Sequence, residues 1–103
     1  MHGVELIYAP RAERDLLALP RKHVHPILSD HDLLRTRTWP AGKVKRLTGQ
    51  PYWEIKSGDY RSLFVQEHGR VIFLRIVNRK DLEKTIKRID PKALWTWLRE
   101  KGG

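Results

Sequence analysis

The sequence predicts an α+β domain built around an antiparallel sheet, on three observations. The chain has 103 residues, enough for one domain with its own core and too few for two. Helical periodicity comes first, then two-residue alternation with short apolar runs, then helical periodicity again. The β-prone runs between Lys43 and Val77 follow one another too closely for crossover connections, so they should pair as an antiparallel meander.

Val4-Glu5-Leu6-Ile7-Tyr8 is short, apolar and β-prone, and reads as a first strand. Pro10 suits the first turn of a helix, where its missing N–H costs nothing. Ala12, Leu16 and Leu19 then form one apolar stripe, and Pro20 ends the segment. A second helix carries Val24, Ile27, Leu28, His31 and Leu34 on one side. Pro26 should lie in its first turn, which starts the helix near His23 to His25, and the helix stops before Pro40 and Gly42. The two helices make an α-hairpin.

Lys43 to Leu47 is a short strand, closed by Thr48-Gly49-Gln50-Pro51. Tyr52 to Lys56 alternates, with Trp53 and Ile55 on one face and Tyr52, Glu54 and Lys56 on the other. Ser57-Gly58-Asp59 is a turn, Tyr60 to Gln66 a strand, and Glu67-His68-Gly69 a hairpin loop. Val71 to Val77 is the most apolar run and reads as a central strand covered on both faces. Leu82, Ile86 and Ile89 give another helical stripe. Asp90-Pro91 opens a last helix with Leu94, Trp97 and Leu98 as its apolar face.

Lys and Arg number 21 against 12 Asp and Glu, a formal charge of +9. The excess is concentrated: residues 43 to 88 carry twelve basic and five acidic side chains, against six and five in residues 1 to 42. Such a surface suits a polyanion, RNA or DNA first among them; the alternative is a basic surface serving solubility. The chain has no cysteine, which excludes disulfides and thiolate chemistry. No apolar run approaches the ~20 residues of a membrane span, and Met1-His2-Gly3-Val4-Glu5 does not read as a signal peptide. A cytoplasmic protein without a membrane partner is expected.

Residues 44 to 89 resemble the RelE/ParE superfamily of toxins. The stretch that carries the resemblance is Val44-Lys45-Arg46-Leu47-Thr48-Gly49, then Tyr52-Trp53-Glu54-Ile55-Lys56, then Gly58-Asp59-Tyr60-Arg61. It runs on through the apolar strand into Val77-Asn78-Arg79-Lys80-Asp81. The resemblance implies a single RelE-like domain over 1–103, with N-terminal strand and α-hairpin packed on the meander, C-terminal helices, and 91–101 as an extra helix. It implies the toxin of a type II toxin–antitoxin pair, partnered by an antitoxin. The activity implied first is metal-independent, ribosome-dependent cleavage of mRNA that leaves 2′,3′-cyclic phosphates and inhibits translation. The alternative is a ParE-like, non-nuclease inhibitor of DNA gyrase, since fold does not decide between them.

Metal-free RNA cleavage needs a base for the ribose 2′-OH, cations for the phosphorane, and an acid for the leaving 5′ oxygen. Arginine forks suit the second task because charge builds on the non-bridging oxygens. The resemblance places Arg61 and Arg79 on the scissile phosphate. Ion pairing of Arg61 with Asp59 or Glu54 is the structural alternative. The resemblance places Lys56 as base or charge stabiliser. Alternation puts Glu54 beside it, so Glu54 can be the base with Lys56 as cation, or the two can form a surface salt bridge worth little. Lys43, Lys45, Arg46, Lys80 and Lys84 are the expected RNA-binding cations. The segment Lys80-Asp81-Leu82-Glu83-Lys84-Thr85 lacks the tyrosine or histidine of active relatives. That leaves the acid unassigned, with Lys84 as one substitute and an inactive nuclease as the other reading.

The five histidines lack the i, i+4 pairing a helix uses for zinc, and neither metal nor small-molecule cofactor is expected. Trp53 should be core and Trp97 should pack the last helix. Trp39 and Trp95 stand open between packing, stacking on a base and docking an antitoxin helix.

Overall fold

In a computed structural model, which describes residues 3–36 and 38–102, five strands form one sheet in the order β1-β5-β4-β3-β2. Along the chain these are β1 (Glu5–Tyr8), α1 (Pro10–Ala18), α2 (Arg21–Asp32), β2 (Val44–Arg46), β3 (Trp53–Ser57), β4 (Tyr60–Glu67), β5 (Arg70–Asn78), α3 (Leu82–Arg88) and α4 (Pro91–Gly102). Short 3-10 turns at Leu33–Arg35 and Arg79–Asp81 follow α2 and β5. The α+β order and the meander β2-β3-β4-β5 are as the sequence predicts. The sheet as a whole is not antiparallel: β1 pairs in parallel with β5, Leu6 opposite Val71 and Tyr8 opposite Phe73. The α-hairpin acts as the crossover that a parallel pair requires, returning the chain to the far edge of the sheet. That leaves β5 an interior strand, flanked by β1 and β4, which accounts for its apolar character, with Arg75 the one charged residue between Val71 and Val77.

The second helix also differs from expectation. It begins at Arg21, directly after Pro20, so Pro26 lies inside it beyond the first turn. The missing donor forfeits one bond to the Lys22 carbonyl. Lys22 and Pro26 are both exposed, so water can satisfy that oxygen. In return the helix holds the phase that buries Ile27 and His31.

The two sheet faces build two cores. One face packs Ile55, Phe64, Val71 and Phe73 against Ala12, Ile27 and Leu34 from the hairpin. The other packs Tyr52, Leu63, Val65, Ile72 and Leu74 against Leu98, with Ile86, Leu94 and Trp97 beside it. Each fully buried Leu, Ile or Phe contributes about 1.5–3 kcal/mol; α3 and α4 bury one such side chain, Leu98, where the hairpin side buries Ile27 and Leu34. Lys92 N–H donates to Asp90 Oδ1 at 2.9 Å, the cap the Asp90-Pro91 pair predicts. The β4–β5 turn places His68 and Gly69 both at positive φ, 46° and 76°, the geometry of a two-residue hairpin loop.

A bulge breaks the ladder where Leu63 faces Arg75 but Phe64 faces Phe73, so Leu74 is the extra residue. Beyond Phe73, β1 has ended and β5 has no strand on that side. Asp15 of α1 fills the gap. Its Oδ2 accepts from Ile76 N–H and Arg75 Nε, both at 2.8 Å, and its Oδ1 accepts from Arg75 Nη2 at 3.2 Å. One carboxylate thus ties the first helix to the bulge, a contact no local sequence pattern announces.

Candidate functional site

Sheet register decides which of the sequence-predicted residues meet. Lys56 on β3 lies directly opposite Arg61 on β4, and Lys45 on β2 directly opposite Glu54 on β3. Side chains two apart share a face, so Lys45, Glu54, Lys56 and Arg61 all rise from the face that carries Tyr52 and Leu63, the α3–α4 side.

Glu54 is the unusual member. It is 3% exposed, although nothing in its local sequence distinguishes it from a surface residue. Its ion pair runs to Lys45, with Nζ 3.8 Å from Oε1, and not to Lys56 as the alternation suggested. The cross-strand neighbour is nearer than the residue two along the same strand. Glu54 Oε2 is buried with no hydrogen-bond partner among the described residues. A buried, unsatisfied oxygen of this kind costs roughly 1–3 kcal/mol.

Arg61 and Arg79 converge on the Gly58–Asp59 turn. Arg61 Nη1 donates to the Gly58 and Tyr60 carbonyls at 2.8 and 2.9 Å. It pairs with neither Asp59 nor Glu54. Asp59 belongs instead to Arg79, whose backbone N–H donates to the Asp59 carbonyl at 2.8 Å and whose Nε lies 3.8 Å from Oδ1. Gly58 holds φ at 60°, a left-handed value that favours glycine, and this lets the turn present its carbonyl to Arg61. Both guanidiniums therefore sit at the Gly58–Asp59 end of the sheet, where Lys56 lies opposite Arg61.

The other expected cations are dispersed. Lys43 turns to α2, its Nζ 3.3 Å from Asp30 Oδ1. Arg46 lies opposite Trp53, on the hairpin side of the sheet. Lys80 is exposed in the 3-10 turn, and Lys84 pairs with Asp81 at 3.4 Å on α3. Thr85 is buried, and its hydroxyl donates to the Asp81 carbonyl at 2.7 Å. The segment that lacks a tyrosine or histidine thus gains no free acid from its fold.

On the opposite face the sequence reading missed a polar network. Tyr8 Oη lies 2.7 Å from His31 Nδ1, and His31 Nε2 lies 2.8 Å from Ser62 Oγ. His31 is fully buried and stacks on Phe73 with ring centroids 3.9 Å apart. Burial pushes its pKa down from 6.5 to about 4, against the smaller opposing pull of Asp30 and Asp32. Burial likewise pushes Tyr8 up to about 12, with Asp32 adding to the rise. The only sequence signal was His31's place on the apolar stripe with Ile27 and Leu34. Trp39 also proves structural: Nε1 donates to the Thr36 carbonyl at 2.9 Å and its ring edge meets Trp53. Trp95 is 49% exposed.

Comparison with protein-family models finds no match, and no curated protein matches. Solved structures do. A chain of the RelB–RelE antitoxin–toxin complex from Methanococcus jannaschii superposes with a TM-score of 0.63 at 20% identity, covering 77% of this chain and 96% of that one. A chain of the toxin–antitoxin complex RelBE2 from Mycobacterium tuberculosis gives 0.61 at 25% identity, with coverages of 75% and 99%. A chain of the E. coli DinJ–YafQ toxin–antitoxin complex gives 0.63 at 17% identity, with coverages of 77% and 96%. Among the described residues no helix is long and apolar enough to cross a membrane.

Proposed function

We propose that this chain, which has the fold of the RelE-like toxins, is the toxin of a toxin–antitoxin pair and cleaves mRNA on the ribosome without a metal. The observation that carries the reading is Glu54: a carboxylate buried on the sheet face with Oε2 unpartnered, two residues from Lys56 and beside the strand that carries Arg61. A group kept at such a cost fits a base better than a structural pair. The solved neighbours include toxin–antitoxin complexes, which supports an antitoxin as partner here.

In this reading Glu54 accepts the ribose 2′-OH proton as the 2′ oxygen bonds to phosphorus. The fork of Arg61 and the guanidinium of Arg79 take the charge that builds on the non-bridging oxygens. The bond from phosphorus to the 5′ oxygen breaks, and that oxygen takes its proton from the Lys56 ammonium. The products are a 2′,3′-cyclic phosphate and a 5′-hydroxyl. In this reading Lys45, 62% exposed and 3.8 Å from Glu54 Oε1, exchanges the carboxylate for an RNA phosphate as substrate binds.

Expression of the chain without any antitoxin tests this directly. Growth should stop and new 5′-hydroxyl ends should appear within ribosome-bound mRNA. Continued translation with accumulating DNA breaks would move the chain to the gyrase-inhibitor alternative.

A further inference from the structure

A separate cleft of 740 Å³ opens between the start of α1, the bulged end of β5 and the two C-terminal helices. Of the residues assigned above it contains only Lys84. Its volume falls in the range that encloses a small organic ligand. Four cations line it, Arg11, Arg75, Lys84 and Arg88. Arg75 is satisfied by Asp15, and Lys84 by Asp81. The second acid of the lining, Asp90, has one oxygen engaged as the cap of α4. Arg11 and Arg88 have no ion-pair partner among the described residues, and they approach from different helices, α1 and α3. The lining also has an apolar part, with Leu94 and the partly buried ring of Trp97.

We infer that this cleft binds a ribonucleotide, with its phosphate between Arg11 and Arg88 and its base against Trp97. Two guanidiniums without an ion-pair partner among the described residues attract an anion, and their forks match phosphate oxygens. An inorganic ion would leave the apolar wall bare, whereas an acidic side chain offers no flat surface to the indole. A nucleotide fills both requirements, and stacking on an aromatic ring is worth about 1–3 kcal/mol per base. The ligand is either free or one unit of an RNA strand, and the inference does not depend on the nuclease reading.

The test is binding by the intact protein, read from the indole N–H resonance of Trp97, assigned with Trp97→Phe. The probes are AMP, adenosine, inorganic phosphate and hexa-adenylate. The expectation is that AMP or hexa-adenylate shifts this resonance, and that adenosine and phosphate each bind at least about tenfold more weakly. The double variant Arg11→Ala/Arg88→Ala, altered only at exposed positions, should lose at least about tenfold in affinity while keeping its unfolding temperature. A response to AMP identifies the free nucleotide as sufficient; a response to hexa-adenylate alone identifies an RNA strand. Silence of Trp97 toward both, or unchanged affinity in the double variant, overturns the site. Because no cleavage is measured, failure here leaves the Glu54 reading untouched, and failure of that reading leaves this site untouched.

Discussion

Two buried ionisable side chains lie on opposite faces of the same sheet, and they are buried in opposite ways. His31 sits on the hairpin face with both ring nitrogens partnered, one by Tyr8 and one by Ser62, and its ring stacked on Phe73. Glu54 sits on the α3–α4 face with one oxygen 3.8 Å from an exposed lysine and the other without a partner. A satisfied buried polar group fixes how elements dock; an unsatisfied one lowers stability without fixing anything. The difference separates scaffold from site within one sheet, and substitutions should separate them too.

The largest effect should come from the satisfied side. His31→Ala removes a stacked ring and strands the hydroxyls of Tyr8 and Ser62, at a cost of about 4 kcal/mol in urea unfolding. A loss under about 1 kcal/mol would show that the network is decoration. Next comes Arg61→Ala. It should slow mRNA cleavage roughly 10²–10³-fold while costing only about 1 kcal/mol of stability, since what it loses are bonds to two turn carbonyls. An inactive variant that is also unfolded would make Arg61 a brace for the β3–β4 turn.

The pH dependence of stability sharpens the His31 half further. The imidazole titrates at about 4 when folded and near 6.5 when unfolded. Between those values the unfolded chain binds a proton that the folded one refuses. Stability contributed by neutral His31 is therefore complete above pH 6.5 and is lost as pH falls toward 4, by up to about 3 kcal/mol. His31→Gln should flatten that slope; an unchanged slope would assign it to carboxylates instead.

The same two residues show what could be read from the chain alone. His31 fell on the apolar stripe with Ile27 and Leu34, so its burial was legible, but its partners Tyr8 and Ser62 come from distant strands and were not. Glu54 was legible as a candidate because alternation gave it a face and a neighbour. Its burial and its pairing with Lys45 were not, because the pairing depends on β2 register and the burial on tertiary packing, neither of which the local pattern carries. The parallel β1–β5 pair stayed hidden for a related reason: proximity in sequence argues only for neighbours, and β1 is joined to β5 through the rest of the chain. The alternation at Tyr52–Lys56 and the turns at 57–59 and 67–69 are local, and those expectations agree with the structure.

The smallest stability effect belongs to Glu54, and with it the central claim. Glu54→Gln keeps the shape, removes the charge and loses only a pair to an exposed lysine, so its unfolding free energy should stay within about 1 kcal/mol of the parent. Cleavage of mRNA on programmed ribosomes by this folded variant is the most direct measurement. The account predicts a rate lowered roughly 10²–10⁴-fold, the loss expected for a general base. A folded Glu54→Gln protein that cleaves at the parent rate would contradict it.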